Sequence, residues 1–184
     1  MIEELPTSAY VILGLLGLGL RSGYEIKRAA DESTRHFAAI SFRQIYPELK
    51  RMQRLGLVRG TDAPTGDRRR TLYQLTPSGR AALDAWLRAD DEMTVELRHG
   101  GLLKLFFADR LAPADRLALI GRIRDHHRRG REALERSRPT AERRRDRRGE
   151  RGPLETLAFG LELHEFMVDW CDRLAARLAV ESPQ

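Results

Sequence analysis

The chain carries a single cysteine, Cys171, in 184 residues. One thiol excludes an internal disulfide and any metal site built from several cysteines, and it fits a reducing cytoplasm. Long apolar runs are also missing. The longest, Ala9–Leu20, is too short to cross a bilayer, and Glu3 and Glu4 before it are not the positive lead of a signal peptide. The expectation is a cytoplasmic protein with no targeting segment and no membrane partner. Catalytic patterning is equally sparse, with no His-x-x-x-His, no glycine-rich phosphate loop and no Gly-x-Ser-x-Gly. His126 and His127 are adjacent, so they do not share a helix face. His164, Asp169 and Cys171 fall on one helix, but 164 and 171 are two turns apart. No residue set is left for an enzyme, a metal or a cofactor.

What the chain does have is positive charge. Its 33 Lys and Arg exceed its 27 Asp and Glu, for a net charge of +6 and a pI near 10.1. The excess is unevenly placed. Residues 1–80 hold 13 basic against 8 acidic side chains, while residues 153–184 hold 2 against 6. The first part and an arginine-rich middle run therefore suit a polyanionic partner. Arginine outnumbers lysine heavily, and either a polyanionic partner or the codon bias of a GC-rich genome gives that excess.

The most informative stretch is Ser41–Val58. Ser41 and Gln44 have the spacing of a capping box. From there Ile45, Leu49, Met52 and Leu55 form one apolar helical stripe. At ~100° per residue the other side carries Arg43, Pro47, Lys50 and Arg54, flanked by Tyr46 and Arg51. Glu48 is the only acid between Ser41 and Gly60, and it lies nearer the stripe. Pro47 removes a helix hydrogen bond at a cost of about 3 kcal/mol. Either it gives a partner a flat surface, or the helix starts later. Gly56 ends the pattern as an αL cap.

Leu57–Gly60 then reads as a short strand, Thr61–Asp67 as turn chemistry, and Arg70–Leu75 as a returning strand. Arg68, Arg69 and Arg70 stand together at the tip with Asp67 as the acid in reach, so phosphate is the natural counter-charge. A helix, a short strand, a basic-tipped turn and a second strand make a winged helix.

Here the chain resembles the PadR-like transcriptional regulators. The likeness rests on Ala9-Tyr10-Val11-Ile12-Leu13-Gly14-Leu15-Leu16, Ser22-Gly23-Tyr24-Glu25-Ile26 and Gln44-Ile45-Tyr46-Pro47-Glu48-Leu49. It continues through Leu55-Gly56-Leu57-Val58, Arg68-Arg69-Arg70, Tyr73-Gln74-Leu75-Thr76-Pro77 and Gly79. These blocks keep one order over about the first 80 residues. The rest is similar to the longer members, with a helical C-terminal dimerisation region. The resemblance implies an effector, because related regulators answer to phenolic or multidrug-like compounds.

Taken in order, Thr7 or Ser8 caps a first helix that is apolar almost all round and therefore buried on several sides. Tyr10 packs in the core or reaches a dimer seam or DNA. Ser22 caps a second helix to about Glu32, and Gly23 leaves its start open to a phosphate. Tyr24 either donates to that phosphate or packs on the first helix. Thr76 and Pro77 open a fourth helix to about Ala89, with Leu83, Trp86 and Leu87 as its buried side. Asp90–Gly101 is a link. Leu102–Phe107 must be buried, in the C-terminal core or against a partner.

Pro113 starts a helix through about Ser137, and residues 139–152 read as a solvated loop or frayed end. The last helix, Leu154–Leu178, carries two stripes. One is Leu154, Leu157, Leu161 and Val168; the other is Phe159, Leu163, Phe166, Met167, Trp170 and Leu174. Two stripes mean two partners, one of them a second copy.

The expected fold is mainly α with a small β-wing: a winged helix-turn-helix over 1–90, then a helical dimerisation domain over 91–184. The expected function is a homodimeric repressor on double-stranded operator DNA. Arg43, Gln44 and Lys50 are the candidates for base edges. Ser41, Tyr46, Arg54, Arg68, Arg69, Arg70 and Tyr24 are the candidates for phosphates. Phe106, Phe107, Phe166 and Trp170 are candidates to line a pocket for a small aromatic ligand. The rival expectation is a winged helix that docks proteins.

Overall fold

The computed structural model describes residues 5–32, 42–65, 68–90 and 97–181. Contacts divide the chain into two units, Met1–Glu92 and Met93–Gln184. The first is mainly helical with a two-stranded hairpin; the second is helical throughout its described residues.

In the first unit, α1 spans Thr7–Gly17, and Ala9, Ile12, Leu13, Leu15 and Leu16 are all buried. Apolar side chains on several sides place it at the centre of the core. Its N-cap is Pro6 rather than Thr7 or Ser8, and no side chain caps it. Helix α2 (Gly23–Glu32) adds Ile26 and Ala30, and α3 (Phe42–Arg54) adds Ile45, Leu49 and Met52. Each buried Ile, Leu or Met stabilises the fold by ~1.5–3 kcal/mol relative to exposure, and Ala30 by less. Three residues of the α3 stripe are thus buried as expected. Leu55 is not: it lies past the last turn and is exposed.

Pro47 sits inside α3, so the helix does not start after it. The end of α3 is a Schellman motif. Gly56 has φ 71°, its N–H donates to Gln53 O at 3.1 Å, and the Leu57 N–H donates to Met52 O at 2.9 Å. The start of α4 (Pro77–Arg88) is built on that end. Thr76 caps α4 by accepting from the Gly79 N–H at 3.0 Å, and its hydroxyl donates to Gly56 O at 2.7 Å.

The wing is longer than its composition suggests. Strands β1 (Val58–Thr65) and β2 (Arg68–Leu75) pair antiparallel from Val58↔Leu75 to Thr65↔Arg68. The stretch expected to be a turn is therefore mostly strand, with only residues 66 and 67 between the two. Turn-type residues survive here because a two-stranded ribbon has two edges, and Pro64 needs no donor on an edge. Tyr73 is buried, and its N–H donates to Arg21 O at 2.6 Å, which holds β2 against the loop before α2.

Helix α4 covers less than expected. Leu83 packs on the core, Leu87 is exposed, and Trp86 is half-covered by stacking on Tyr10 at 4.7 Å between centroids. That stack settles Tyr10 as a packing residue of this unit.

In the second unit, α5 (Gly100–Phe106) and a 3-10 turn (Ala108–Arg110) precede two long helices, α6 (Pro113–Arg148) and α7 (Gly152–Glu181). Helix α6 continues through Pro139 to Gly149, so residues 139–148 are helix and not a loop. Arg and Glu are good helix formers without any core to face. Arg138 bonds Glu135 at 2.9 Å, and Glu150 pairs with Arg144 at 3.3 Å. Ala141 is buried in a cluster with Leu134, Leu157 and Leu161 and holds the late turns on α7.

The α7 stripes divide differently from the sequence reading. Leu157, Leu161, Met167 and Cys171 are buried, and Leu174 packs with them. Phe159, Leu163 and Phe166 are exposed. Met167 and Leu174 thus belong to the inner seam, and Trp170 lies partly against it. No helix among the described residues is long and apolar enough to cross a membrane.

Candidate nucleic-acid interface

The apolar periodicity of α3 turns one side inward and leaves Gln44, Tyr46, Pro47, Lys50, Gln53 and Arg54 exposed. Pro47, Lys50, Gln53 and Arg54 line a single open concavity. Glu48 is kept off this face. It is largely buried and accepts from Arg51 Nη1 at 3.0 Å, so its charge is neutralised beside the core. Lys50 and Arg54 have no ion-pair partner among the described residues. The face therefore presents uncompensated cations and a flat proline ring. Gln53 was missed from the sequence, although its place three residues after Lys50, one turn along the Tyr46 side of the rod, marks it.

Around this face, the start of α2 is tightly organised. Ser22 and Glu25 form a reciprocal capping box. The Glu25 N–H donates to Ser22 Oγ at 3.2 Å, and Glu25 Oε2 accepts from the N–H groups of Ser22 at 3.1 Å and Arg21 at 2.9 Å. The Ser-x-x-Glu spacing of Ser22–Glu25 announces it. Glu25 is held below the usual carboxylate range, first by the Arg21 N–H, against the opposing effect of burial, and then by Ser22 and Arg70.

Arg70 closes the arrangement. Its Nη2 donates to Glu25 Oε1 at 2.6 Å and to Ser22 Oγ at 2.8 Å. The expectation that Asp67 alone lies within reach of the arginine run therefore fails at Arg70. An acid 45 residues away in sequence is its partner. In this structure Arg70 ties the wing to α2 through Glu25 and Ser22, and its side chain stays 42% exposed.

Nor is the start of α2 open at Gly23. Gly23 is buried, and a Cβ there would lie 2.7 Å from Cε1 of Tyr46. The Tyr46 ring covers it while keeping part of its edge exposed. Tyr24 is 64% exposed, so it does not pack on α1.

The other candidate residues are placed as follows. Ser41 lies outside the described residues. Arg43 is in the first turn of α3, and Arg68 and Arg69 are on β2 opposite Thr65 and Pro64; their side chains lie outside the described residues. Phe106, Phe107 and Phe166 are 79%, 61% and 55% exposed, so within one chain they do not enclose a pocket. Phe106 and Phe107 pack edge to face at 5.0 Å, and Trp170 is partly buried elsewhere in the same unit. Of the two places expected for Leu102–Phe107, the core takes Leu102 and Leu105 and leaves Leu103, Phe106 and Phe107 outside it.

Comparison with known proteins follows the same division. The model of the transcriptional regulator PadR-like family matches residues 12–85, and that of the virulence activator alpha C-terminal region matches residues 97–179. The negative transcriptional regulator PadR of Bacillus subtilis (strain 168) is 33% identical over 104 residues, 56% of this chain and 57% of that protein. The match thus spans little more than half the length of this relative.

The crystal structure of Bacillus subtilis PadR in complex with operator DNA is similar over 96% of this chain and 99% of that one, with 25% identity and a TM-score of 0.84. Its complex with p-coumaric acid shares the fold over 95% and 99%, with 24% identity and a TM-score of 0.74. Family models over both units and a fold shared from end to end agree with the residue blocks: residues 12–85 of this chain form a domain of the transcriptional regulator PadR-like family, followed by a region similar to the virulence activator alpha C-terminal region.

Proposed function

We propose that the protein is a homodimeric repressor that binds an inverted-repeat operator through α3 and the wing of each copy. The observation that carries this reading is the cation-bearing face of α3, cleared of acid by the Glu48–Arg51 pair. Residues 1–90 act as the DNA-binding domain and 91–184 as the dimerisation domain.

Helix α3 enters the major groove. Arg43, Gln44 and Lys50 read base edges, since Arg on guanine and Gln on adenine are the favoured geometric pairs. Ser41, Tyr46, Arg54, Arg68, Arg69 and Tyr24 hold phosphates and set the register. Arg70 we reassign to holding the wing at its angle to α2, on the strength of its bonds to Glu25 and Ser22.

The second copy covers Phe159, Leu163 and Phe166 on α7, which the chain's own described residues leave exposed. A small aromatic acid of the kind found with the Bacillus subtilis protein occupies the seam near Phe106, Phe107, Phe166 and Trp170 and releases the DNA.

The test is fluorescence anisotropy with short labelled duplexes at two salt concentrations, with genome-derived bound fragments as competitors. Tight binding to a subset of fragments, with affinity falling steeply as salt rises, is the expected result. Weak binding with no salt dependence would leave the wing as a protein-docking surface instead.

A further inference from the structure

The sequence separates His99, His127 and His164 by 28 and 37 residues, yet the second unit brings all three rings into one row. His99 Nε2 lies 2.7 Å from His127 Nε2, and His127 Nδ1 lies 2.9 Å from His164 Nδ1. His99 is the N-cap of α5, His127 is in the middle of α6, and His164 is in α7. Three elements are thus joined through imidazoles. Space for the rings is built in: a Cβ on Gly130 would lie 2.7 Å from His164 Nε2, and one on Gly101 would lie 2.9 Å from His99 Cε1. The row is not a chelate. Each nitrogen of His127 faces a different ring, and no group of described His, Cys, Asp or Glu is placed to hold a metal ion.

The backbone sets the direction of the chain. The Leu102 N–H donates to His99 Nδ1 at 3.0 Å, so the neutral His99 carries its proton on Nε2. That proton is donated to His127 Nε2. His127 then carries its own on Nδ1 and donates to His164 Nδ1, leaving the His164 proton on Nε2. Every link holds one proton between two nitrogens. A second proton on His127 puts two N–H groups head to head. A second proton on His99 meets the Leu102 N–H, and one on His164 meets the His127 N–H. The neutral, single-direction state is the one this geometry accepts.

We propose that this histidine row is a proton-responsive latch that holds α5 on the α6–α7 hairpin and releases it as the pH falls. Helix α5 has seven residues, too few to persist without its contacts. Its remaining hold is the packing of Leu102 and Leu105, while Leu103 and Phe106 face outward.

Among the described residues no acid acts on His127 to favour its charged form. The groups that act on it are His164 from α7, His99 from the start of α5 and His126 from its own helix. Lys104 on α5 is exposed. The ion pairs Arg124–Asp172 and Arg131–Glu165 lie about a turn away on either side and are partly solvated. Burial first, then His164, His99 and His126, lowers His127 from 6.5 to about 4. The unfolded or released state therefore binds a proton that the latched state does not. The latch is fully held above about pH 6.5 and weakens as pH falls from there towards about 4.

The test is hydrogen exchange by mass spectrometry on the full chain, corrected for intrinsic rates, at pH about 7.5 and about 5. The opening constant of residues 100–106 is expected to rise by up to about tenfold per pH unit below the unfolded histidine value. Residues 77–88 of the first unit serve as an internal reference and stay level. In His127→Leu the rise disappears. Should that variant fail to fold, nitrogen NMR of the wild-type imidazoles decides. The expected tautomers are Nδ1–H for His127 and Nε2–H for His99 and His164, with His127 titrating well below an ordinary imidazole. Equal protection of 100–106 at both pH values, or the opposite tautomers, overturns the proposal.

Discussion

Arg70 shows what a single side chain does when its partner is distant in sequence. Within the arginine run it is indistinguishable from Arg68 and Arg69, and only the fold brings Glu25 to 2.6 Å from it. On the proposed function, two kinds of arginine follow. Arg54→Ala is expected to weaken binding to every duplex alike and to flatten the salt dependence by about one unit, as the loss of one phosphate contact does. Arg70→Ala is expected to weaken binding with the salt slope kept, and Glu25→Gln to do the same. A double-mutant cycle on the anisotropy readout checks it: additive effects of the two changes would mean that the pair does not act as a unit. Arg43→Ala belongs to a third kind, with sequence preference relaxed by about 1–3 kcal/mol at one base pair. Competition between matched and single-substituted duplexes measures that loss. Gly23→Ala tests the contact between α2 and the α3 face. A methyl there collides with the Tyr46 ring, so the variant is expected to lose about 1–3 kcal/mol in denaturant unfolding.

Among the elements, the two helices that bear most on function were legible to different depths. The apolar stripe of α3 is periodic enough that Ile45, Leu49 and Met52 are buried where the pattern puts them. Its end was legible too, since Gly56 alone on that stretch tolerates φ 71°. Beyond it the pattern failed at Leu55, because a residue past the last turn is no longer held to the helical angle. Helix α6 was legible only to about Ser137. The run from 139 to 148 has one small apolar residue, Ala141, and what orders it is α7 alongside, which no local pattern records. Ala141→Asp is therefore expected to unravel this end, and limited trypsin digestion checks it. Cleavage after Arg143–Arg148 should be slow in the parent chain and fast in the variant. Equal rates in both would mean that Ala141 does not anchor the end. The wing was legible as a hairpin but not in its length, since pairing partners, not composition, carried β1 to Thr65.

At the scale of the whole molecule, the question is what covers the outer face of α7. Phe159, Leu163 and Phe166 are exposed although each is large and apolar. On the proposed homodimer, Phe166→Glu is expected to shift the protein to monomers in sedimentation equilibrium while leaving its helical circular dichroism unchanged, because the residue makes no part of the inner seam. A dimer of undiminished strength would send the second copy elsewhere.

The sequence by itself determined the winged helix, the inward stripe of α3 and the wing's arginines. Each of these is a local matter of spacing, charge and turn chemistry that short-range sterics and burial express directly. Only the tertiary structure decided that Glu25 claims Arg70, that Tyr46 shields Gly23, and that Met167 and Leu174 face inward. It alone brought three scattered histidines into one row. Those contacts join residues tens of positions apart, and they form only after the helices have packed and fixed which faces meet.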